Sequence, residues 1–178
     1  MGPPARLVKP LAHLGMTWQT SLMSKSLKRV RAALESAGLD PATIMETPDT
    51  RTAQQAADAA GCHVDQIAKS IIFRGETSQT AVLFLTAGGN RVDADKASHV
   101  AGEVLGKADA ALIRAQTGFA IGGVSPVGHL NPIRAFIDTR LTEFDTVWAA
   151  AGTPHHIFPL TPEQLQTLTT GTEADFTE

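Results

Sequence analysis

The chain has 178 residues, a mass of 18.8 kDa, 43% apolar and 19% charged residues, and a formal net charge of -3. This length supports one domain with a real core and argues against a second full one, and the composition excludes the disordered, collagen-like and fibrous classes. A single cysteine, Cys62, excludes an intramolecular disulfide framework and a cysteine-rich zinc site, and no apolar run approaches the ~18 residues of a membrane-spanning helix, so a reducing, cytoplasmic setting is expected.

Residues 1–22 contain three prolines and two glycines without a sustained period, and are expected to form a flexible tail. Arg6 and Lys9 are not followed by the roughly 7–15 apolar residues of a secretory leader. Met23 offers an alternative start to the folded unit, expected to span 23–172 and to end in an acidic tail at 173–178. From Ser24 or Ser26 a helix is predicted through Leu27, Val30 and Leu34 to Gly38. An extended stretch from Thr43 to Thr47 ends at Pro48. Thr52 and Gln55 form a capping box ahead of an alanine-rich helix that stops at Gly61, and Asp65 is expected to cap one further turn. Ser70–Phe73 and Thr80–Leu85 are apolar runs separated by a polar segment, the pattern of a buried hairpin.

Asp93–Leu105 and Asp109–Thr117 are predicted helices, and Phe119–Ile121 a short strand. A Gly/Pro-rich loop then covers residues 122–132. Strands are predicted at Ile133–Ile137, Thr146–Ala150 and Ile157–Leu160, and Thr161, Pro162 and Gln164 mark the start of a last helix before Gly171. The order α-β-α-β-β-α-α-β-β-β-β-α argues for a mixed sheet with helices around it, and against a repeating βαβ array. There is no internal repeat.

Charge is unevenly distributed. Residues 1–34 carry six bases (Arg6, Lys9, Lys25, Lys28, Arg29, Arg31) and no acid, whereas the chain after Arg140 carries six acids and no base. A near-neutral total therefore does not exclude a local contact with phosphates, although solvated ends are the ordinary outcome of such runs.

Three stretches could carry chemistry. In Ala68-Lys69-Ser70-Ile71-Ile72-Phe73 a lysine enters an apolar strand; such an ammonium, held and desolvated, suits an anionic or carbonyl oxygen, while a lysine at a strand end ordinarily reaches for water. The segment from Gly118 to His129 has the glycines that let backbone N–H groups approach a ligand oxygen, as an oxyanion or carboxylate site requires, and equally suits a wide turn. It lacks the Gly-Lys-Ser/Thr of a phosphate-binding loop and the G-x-G-x-x-G of a dinucleotide site. In Ala151-Gly152-Thr153-Pro154-His155-His156 the adjacent histidines point to opposite faces of an extended segment, which makes them poor joint ligands, and no metal site is expected. Ser125 and His129 lack the strand-elbow-helix context of a nucleophile, and Cys62 is expected to fill a small apolar space.

In this order, Thr52-Ala53-Gln54-Gln55-Ala56-Ala57, Ile67-Ala68-Lys69-Ser70-Ile71-Ile72-Phe73, Gly122-Gly123-Val124-Ser125-Pro126-Val127-Gly128-His129, Phe136-Ile137-Asp138 and Ala151-Gly152-Thr153-Pro154 resemble the YbaK/ProX family of aminoacyl-tRNA deacylases, whose fold is also the editing insertion domain of bacterial prolyl-tRNA synthetases. The match covers about residues 25–170. It implies an α+β fold, a mixed and strongly curved sheet flanked by helices, with a pocket between the lysine strand and the glycine loop. It implies hydrolysis in trans of the ester of a mischarged tRNA, without a metal or nucleotide cofactor. The implied partner is the acceptor end of an aminoacyl-tRNA, with an aminoacyl-tRNA synthetase as a further candidate. By the same resemblance Lys69 is the expected catalytic residue. Gly122, Gly123, Val124, Ser125, Pro126, Gly128 and His129, with Gly152 and Pro154, are the expected substrate contacts. The family's cysteine-specific branch carries a serine-bearing S-G-G-x-R-G segment where this chain has Ala150-Ala151-Gly152-Thr153-Pro154-His155, which argues against cysteine as the amino acid removed. Two further readings are a non-catalytic module that holds a charged tRNA end or small ligand in the same pocket, and a DNA-binding protein using the basic N-terminal helix.

Overall fold

A computed structural model describes residues 17–178, with side chains from Lys25 onward. Its elements are α1 (Thr17–Ser36), β1 (Met45–Glu46), α2 (Ala53–Ala60), β2 (Ile67–Gly75), β3 (Ala81–Ala87), α3 (Ala94–Ala101), β4 (Leu105–Lys107), α4 (Ala110–Thr117), β5 (Arg134–Asp138), β6 (Val147–Ala150), β7 (His156–Leu160), α5 (Pro162–Thr169) and β8 (Thr172–Ala174). The eight strands form one mixed sheet in the order β1-β7-β6-β2-β3-β5-β8, and β4 pairs separately with β2. The fold is α+β, with helices around an open mixed sheet.

The hairpin β2–β3 is its centre, in register from Ala68 opposite Ala87 to Arg74 opposite Ala81. Every residue of β3 is buried, which explains why this strand reads as an unbroken apolar run. Side chains alternate across it. Leu83 and Leu85 pack with Val30 and Leu34 of α1, Ile113 of α4 and Leu165 of α5. Val82 and Phe84 face the other way, toward Ala97 and Ala101 of α3 and toward Phe176. The capping boxes at Thr52/Gln55 and Thr161/Gln164 both form, and the alanines of α2 let it lie close to Ile67 and Trp148.

Several expectations change. α1 begins at Thr17, so the helix takes in the end of the segment expected to be a tail; residues 1–16 lie outside the described residues. Asp65 is not the cap of the turn at 64–66: the imidazole Nδ1 of His63 accepts from the Asp65 N–H at 3.2 Å, which frees the Asp65 carboxylate to hold the Gly89 N–H and Arg140. The helix from Asp93 ends at Ala101, and Leu105 joins β4 opposite Gly75, because a free edge of β2 is available to it. Phe119–Ile121 is not a strand: Phe119 is fully buried in the loop beneath α1 and Ile121 is exposed. Residues 173–178 do not trail free of the domain, since β8 pairs in parallel with β5 and Phe176 is fully buried.

Candidate active site

β2 has two partners along its outer edge. Ile67 and Ala68 pair with Trp148 and Ala149 of β6, and Phe73–Gly75 pair with β4. Lys69 to Ile72 lie between these pairings, where neither neighbour continues the ladder. A cavity of about 390 Å³ opens at this gap, walled by Lys69, Ser70, Ile71 and Ile72 from β2, the first turn of α2 with Thr52 and Ala53, the loop residues Ile121, Gly122 and Val124, and Trp148, Ala149, Ala150, Thr153 and His156 from the β6–β7 region.

The hydrogen-bond alternation of an antiparallel pair determines what the gap presents. The N–H of Ala87 donates to Asp138 and that of Ala81 donates to Gln116, so neither turns toward β2. Their partners Ala68 and Arg74 are therefore non-hydrogen-bonded positions, and by alternation so are Ser70 and Ile72. The backbone N–H and C=O groups of Ser70 thus point away from β3 into the gap, as does the N–H of Ile72, while the Phe73–Lys107 pairing turns the Ile72 C=O to the end of β4.

Lys69 borders the cavity and anchors its ammonium on the carbonyl oxygen of Asn90, at 2.6 Å. Burial lowers its proton affinity, the Asp138 and Asp65 carboxylates oppose that, and Arg91 adds to it. Asp138, 2% exposed, holds this corner together: its carboxylate accepts from the N–H groups of Ala87 and Arg140 and from the side chain of Asn90. Burial alone would raise the Asp65 carboxyl, but bonds from Arg140 and the Gly89 N–H bring it below the ordinary carboxylate value.

The glycine loop is shared between two cavities. Gly122 and Val124 line the one beside Lys69. Gly123 lies against the β6–β7 turn so closely that a side-chain carbon there would stand 2.8 Å from the Thr153 Cα. Ser125 is fully buried, its hydroxyl accepting from the Val127 N–H and its carbonyl paired with the imidazole of His129 at 2.6 Å. Pro126, Gly128 and His129 line a second cavity of about 350 Å³, with Leu83, Ile133 and Leu168. The His129 imidazole has its proton affinity lowered by burial, against the Ser125 carbonyl, with Arg29 lowering it further. Gly152 lies beneath α1, and the carbonyl of Pro154 accepts from both the N–H and the hydroxyl of Thr50. The structure therefore brings Lys69, Gly122 and Val124 to one cavity and places Pro126, Gly128 and His129 on another.

His156 and Trp148 were not singled out for this cavity by the sequence reading. The imidazole of His156 pairs through Nδ1 with the Thr153 hydroxyl at 2.6 Å, and burial, ahead of the opposing Glu46, lowers its proton affinity. Nothing in the sequence marks Trp148, whose place depends on its parallel pairing with Ile67, far away in the chain. The capping box at Thr52 was visible, but not that its helix starts at a cavity wall. Among the described residues no helix is long and apolar enough to cross a membrane.

A family profile described as aminoacyl-tRNA editing domain matches residues 47–168. The chain is 32% identical over 140 residues to the uncharacterized protein YwhH of Bacillus subtilis (strain 168), covering 79% of this chain and 88% of that one. It is 45% identical to a crystal structure named as a candidate trans-editing enzyme for prolyl tRNA synthetase, with a TM-score of 0.79 over 86% of this chain and 97% of the other. A structure from epitope grafting onto scaffold proteins is likewise 45% identical, with a TM-score of 0.81 over 87% of this chain and 99% of the other.

Proposed function

The chain belongs to the aminoacyl-tRNA editing domain family, and on that premise we propose that it is a free-standing deacylase, hydrolysing in trans the ester between a wrong amino acid and the terminal ribose of a tRNA. The observation that carries this reading is the cavity at the interrupted edge of β2, which joins a cation, backbone hydrogen-bonding groups and apolar walls. A water oxygen bonds to the ester carbonyl carbon, the carbon–oxygen bond to the ribose breaks, and the ribose oxygen leaves with a proton taken from that water. The ester is already activated, so positioning and stabilisation of charge on the carbonyl oxygen supply the catalysis.

Lys69 supplies positive charge at one end of the cavity, where it holds the ribose or a neighbouring phosphate oxygen. The backbone N–H groups of Gly122 and Val124 are the donors for the developing oxyanion, while that of Gly123 closes the turn on the Ala120 carbonyl at 3.2 Å. The carbonyl of Ser70 at the β2 gap accepts from the α-ammonium group. Ile71, Ile113, Ile157 and Trp148 give the amino-acid side chain an apolar wall. Ala150 and Thr153, from the segment that departs from the cysteine-specific branch, lie on the same wall, where a change of side chain alters which amino acid fits. The partner is the acceptor end of an aminoacyl-tRNA, with an aminoacyl-tRNA synthetase as a further partner, in the cytoplasm.

The test is a panel of mischarged tRNAs incubated with the protein. At least one ester should be hydrolysed well above the spontaneous rate. Hydrolysis at background for every member overturns the enzyme reading, and tRNA binding without turnover would make the chain a binding module.

A further inference from the structure

α1 bridges the two loops that meet at the cavity. On one flank the Arg29 guanidinium donates to the carbonyls of Gly118 at 2.6 Å and Gly128 at 3.3 Å, and lies 4.7 Å over the ring of Phe119. On the other flank the helix backbone rests on the β6–β7 turn, where a side-chain carbon at Gly152 would come within 3.0 Å of the Ser26 carbonyl oxygen. These loops contribute Gly122, Val124 and Thr153 to the cavity wall. Val30 and Leu34 turn inward and are buried, so helical spacing turns Lys25 and Lys28 to the opposite, solvent-facing side, with Arg31 at its border.

Lys25, Lys28 and Arg31 are all exposed, and among the described residues none has an acid within ion-pair distance. Glu35, one turn beyond Arg31, is the one acid of α1. Arg31 is near enough to the cavity for its charge to lower the proton affinity of His156. The C-terminal acids Glu173 and Asp175 are on and just beyond β8, at the edge of the sheet opposite the β1–β7–β6 end. Two acids of the C-terminal run therefore stand at the sheet edge remote from the β1–β7–β6 end that walls the cavity.

We propose that the outer face of α1, through Lys25, Lys28 and Arg31, is the docking surface for the phosphate backbone of the RNA acceptor arm whose 3′ end enters the cavity. This rests on the deacylase reading for what the cavity receives. From Lys25 to Arg31 the helix rises about 9 Å, enough for a short track of phosphates at which each ammonium or guanidinium releases a counterion. Arg29 serves the surface from below by fixing α1 to the glycine loop, so that backbone docking and placement of the ester share one rigid frame.

The test compares the full chain with Lys25→Glu/Lys28→Glu, both exposed positions whose change should leave the melting temperature unaltered. Two readouts are used: affinity for an uncharged acceptor-arm hairpin with a single-stranded 3′ end, against salt, and deacylation of whole mischarged tRNA beside a short 3′-terminal aminoacyl fragment. The variant should bind the hairpin at least ~10-fold more weakly at low salt. Its plot of log affinity against log salt should be shallower by about 1.5, at roughly 0.7–0.9 per phosphate contact. KM for whole tRNA should rise with kcat little changed, and hydrolysis of the fragment should hold. Equal hairpin affinity and salt slope in the two proteins would overturn the proposal while leaving the deacylase reading intact. A blunt DNA duplex that binds wild type as tightly as the hairpin would give the helix to DNA and also overturn it. If wild type hydrolyses neither substrate, the deacylase reading fails, and the hairpin comparison still decides whether α1 holds the RNA.

Discussion

Lys69 reaches out of β2 to the carbonyl oxygen of Asn90 at 2.6 Å, and the Asn90 side chain in turn donates to Asp138 at 2.9 Å. The ammonium is thus placed by the loop after β3, and that loop by a buried carboxylate. Lys69→Ala is expected to lower the single-turnover deacylation rate by roughly 10²–10³, the scale of losing one preorganised charge-stabilising donor. Lys69 is only half-buried, so its melting temperature should stay near wild type. A fall in rate accompanied by a comparable loss of folded protein would assign Lys69 to structure instead.

Gly122 and Gly123 should respond differently to alanine. At Gly123 the added carbon would meet Thr153 backbone atoms at 2.8–2.9 Å, so the loop must move off the β6–β7 turn, at a cost of about 1–3 kcal/mol. At Gly122 the space is open but φ is +95°, and the cost is about 1–2 kcal/mol from the backbone alone. Urea unfolding gives both losses. Deacylation should fall for both, and more for Gly123→Ala, which separates two walls of the cavity.

Glu103 ties the β2–β3 turn to β5. Its carboxylate accepts from the Ser78 N–H and hydroxyl and the Thr77 N–H, and pairs with Arg134. The two bonds from Ser78 lower its pKa most, burial opposes them, and the bonds from Thr77 and Arg134 complete the shift from the ordinary 4.5 down to about 2. A lowered carboxyl pKa means stability that is fully present above about 4.5 and lost as pH falls toward 2. Melting temperatures measured from pH 5 to 2 should fall in wild type and fall less steeply in Glu103→Gln, which starts lower. Parallel curves for the two proteins would contradict this assignment.

Phe176 belongs to the domain although only Thr177 and Glu178 follow it. Its ring meets Phe84 edge-on at 4.9 Å between centroids and is fully buried. Phe176→Ala is expected to destabilise by about 3–5 kcal/mol, measured by chemical unfolding. Deletion of 173–178 should cost at least as much, because it also removes the β8 pairing with β5.

Elements governed by neighbours in sequence were legible without the fold. The capping boxes at Thr52 and Thr161 act over three residues, and the apolar runs of β2 and β3 pair across a short turn. For the same reason Lys69 could be picked out as the charge in a buried strand, and residues 118–129 as a loop able to approach a ligand. Phe119 misled because its apolar neighbours resemble a strand, whereas its burial comes from Arg29 and α1, some 90 residues earlier in the chain.

What the sequence determined by itself is therefore the set of local units: an α+β fold, its central hairpin, its helix caps, a lysine within an apolar strand and a glycine-rich loop. Tertiary structure alone decided that β6 and β4 stop short of one another along β2, which opens the cavity beside Lys69. It also divided the glycine loop between two cavities and seated α1 on the loops that help wall them. Each of these is an outcome of contacts between segments far apart in the chain, where geometry depends on how much edge, volume and charge the rest of the fold leaves unoccupied. Periodicity and capping carry no record of that remainder.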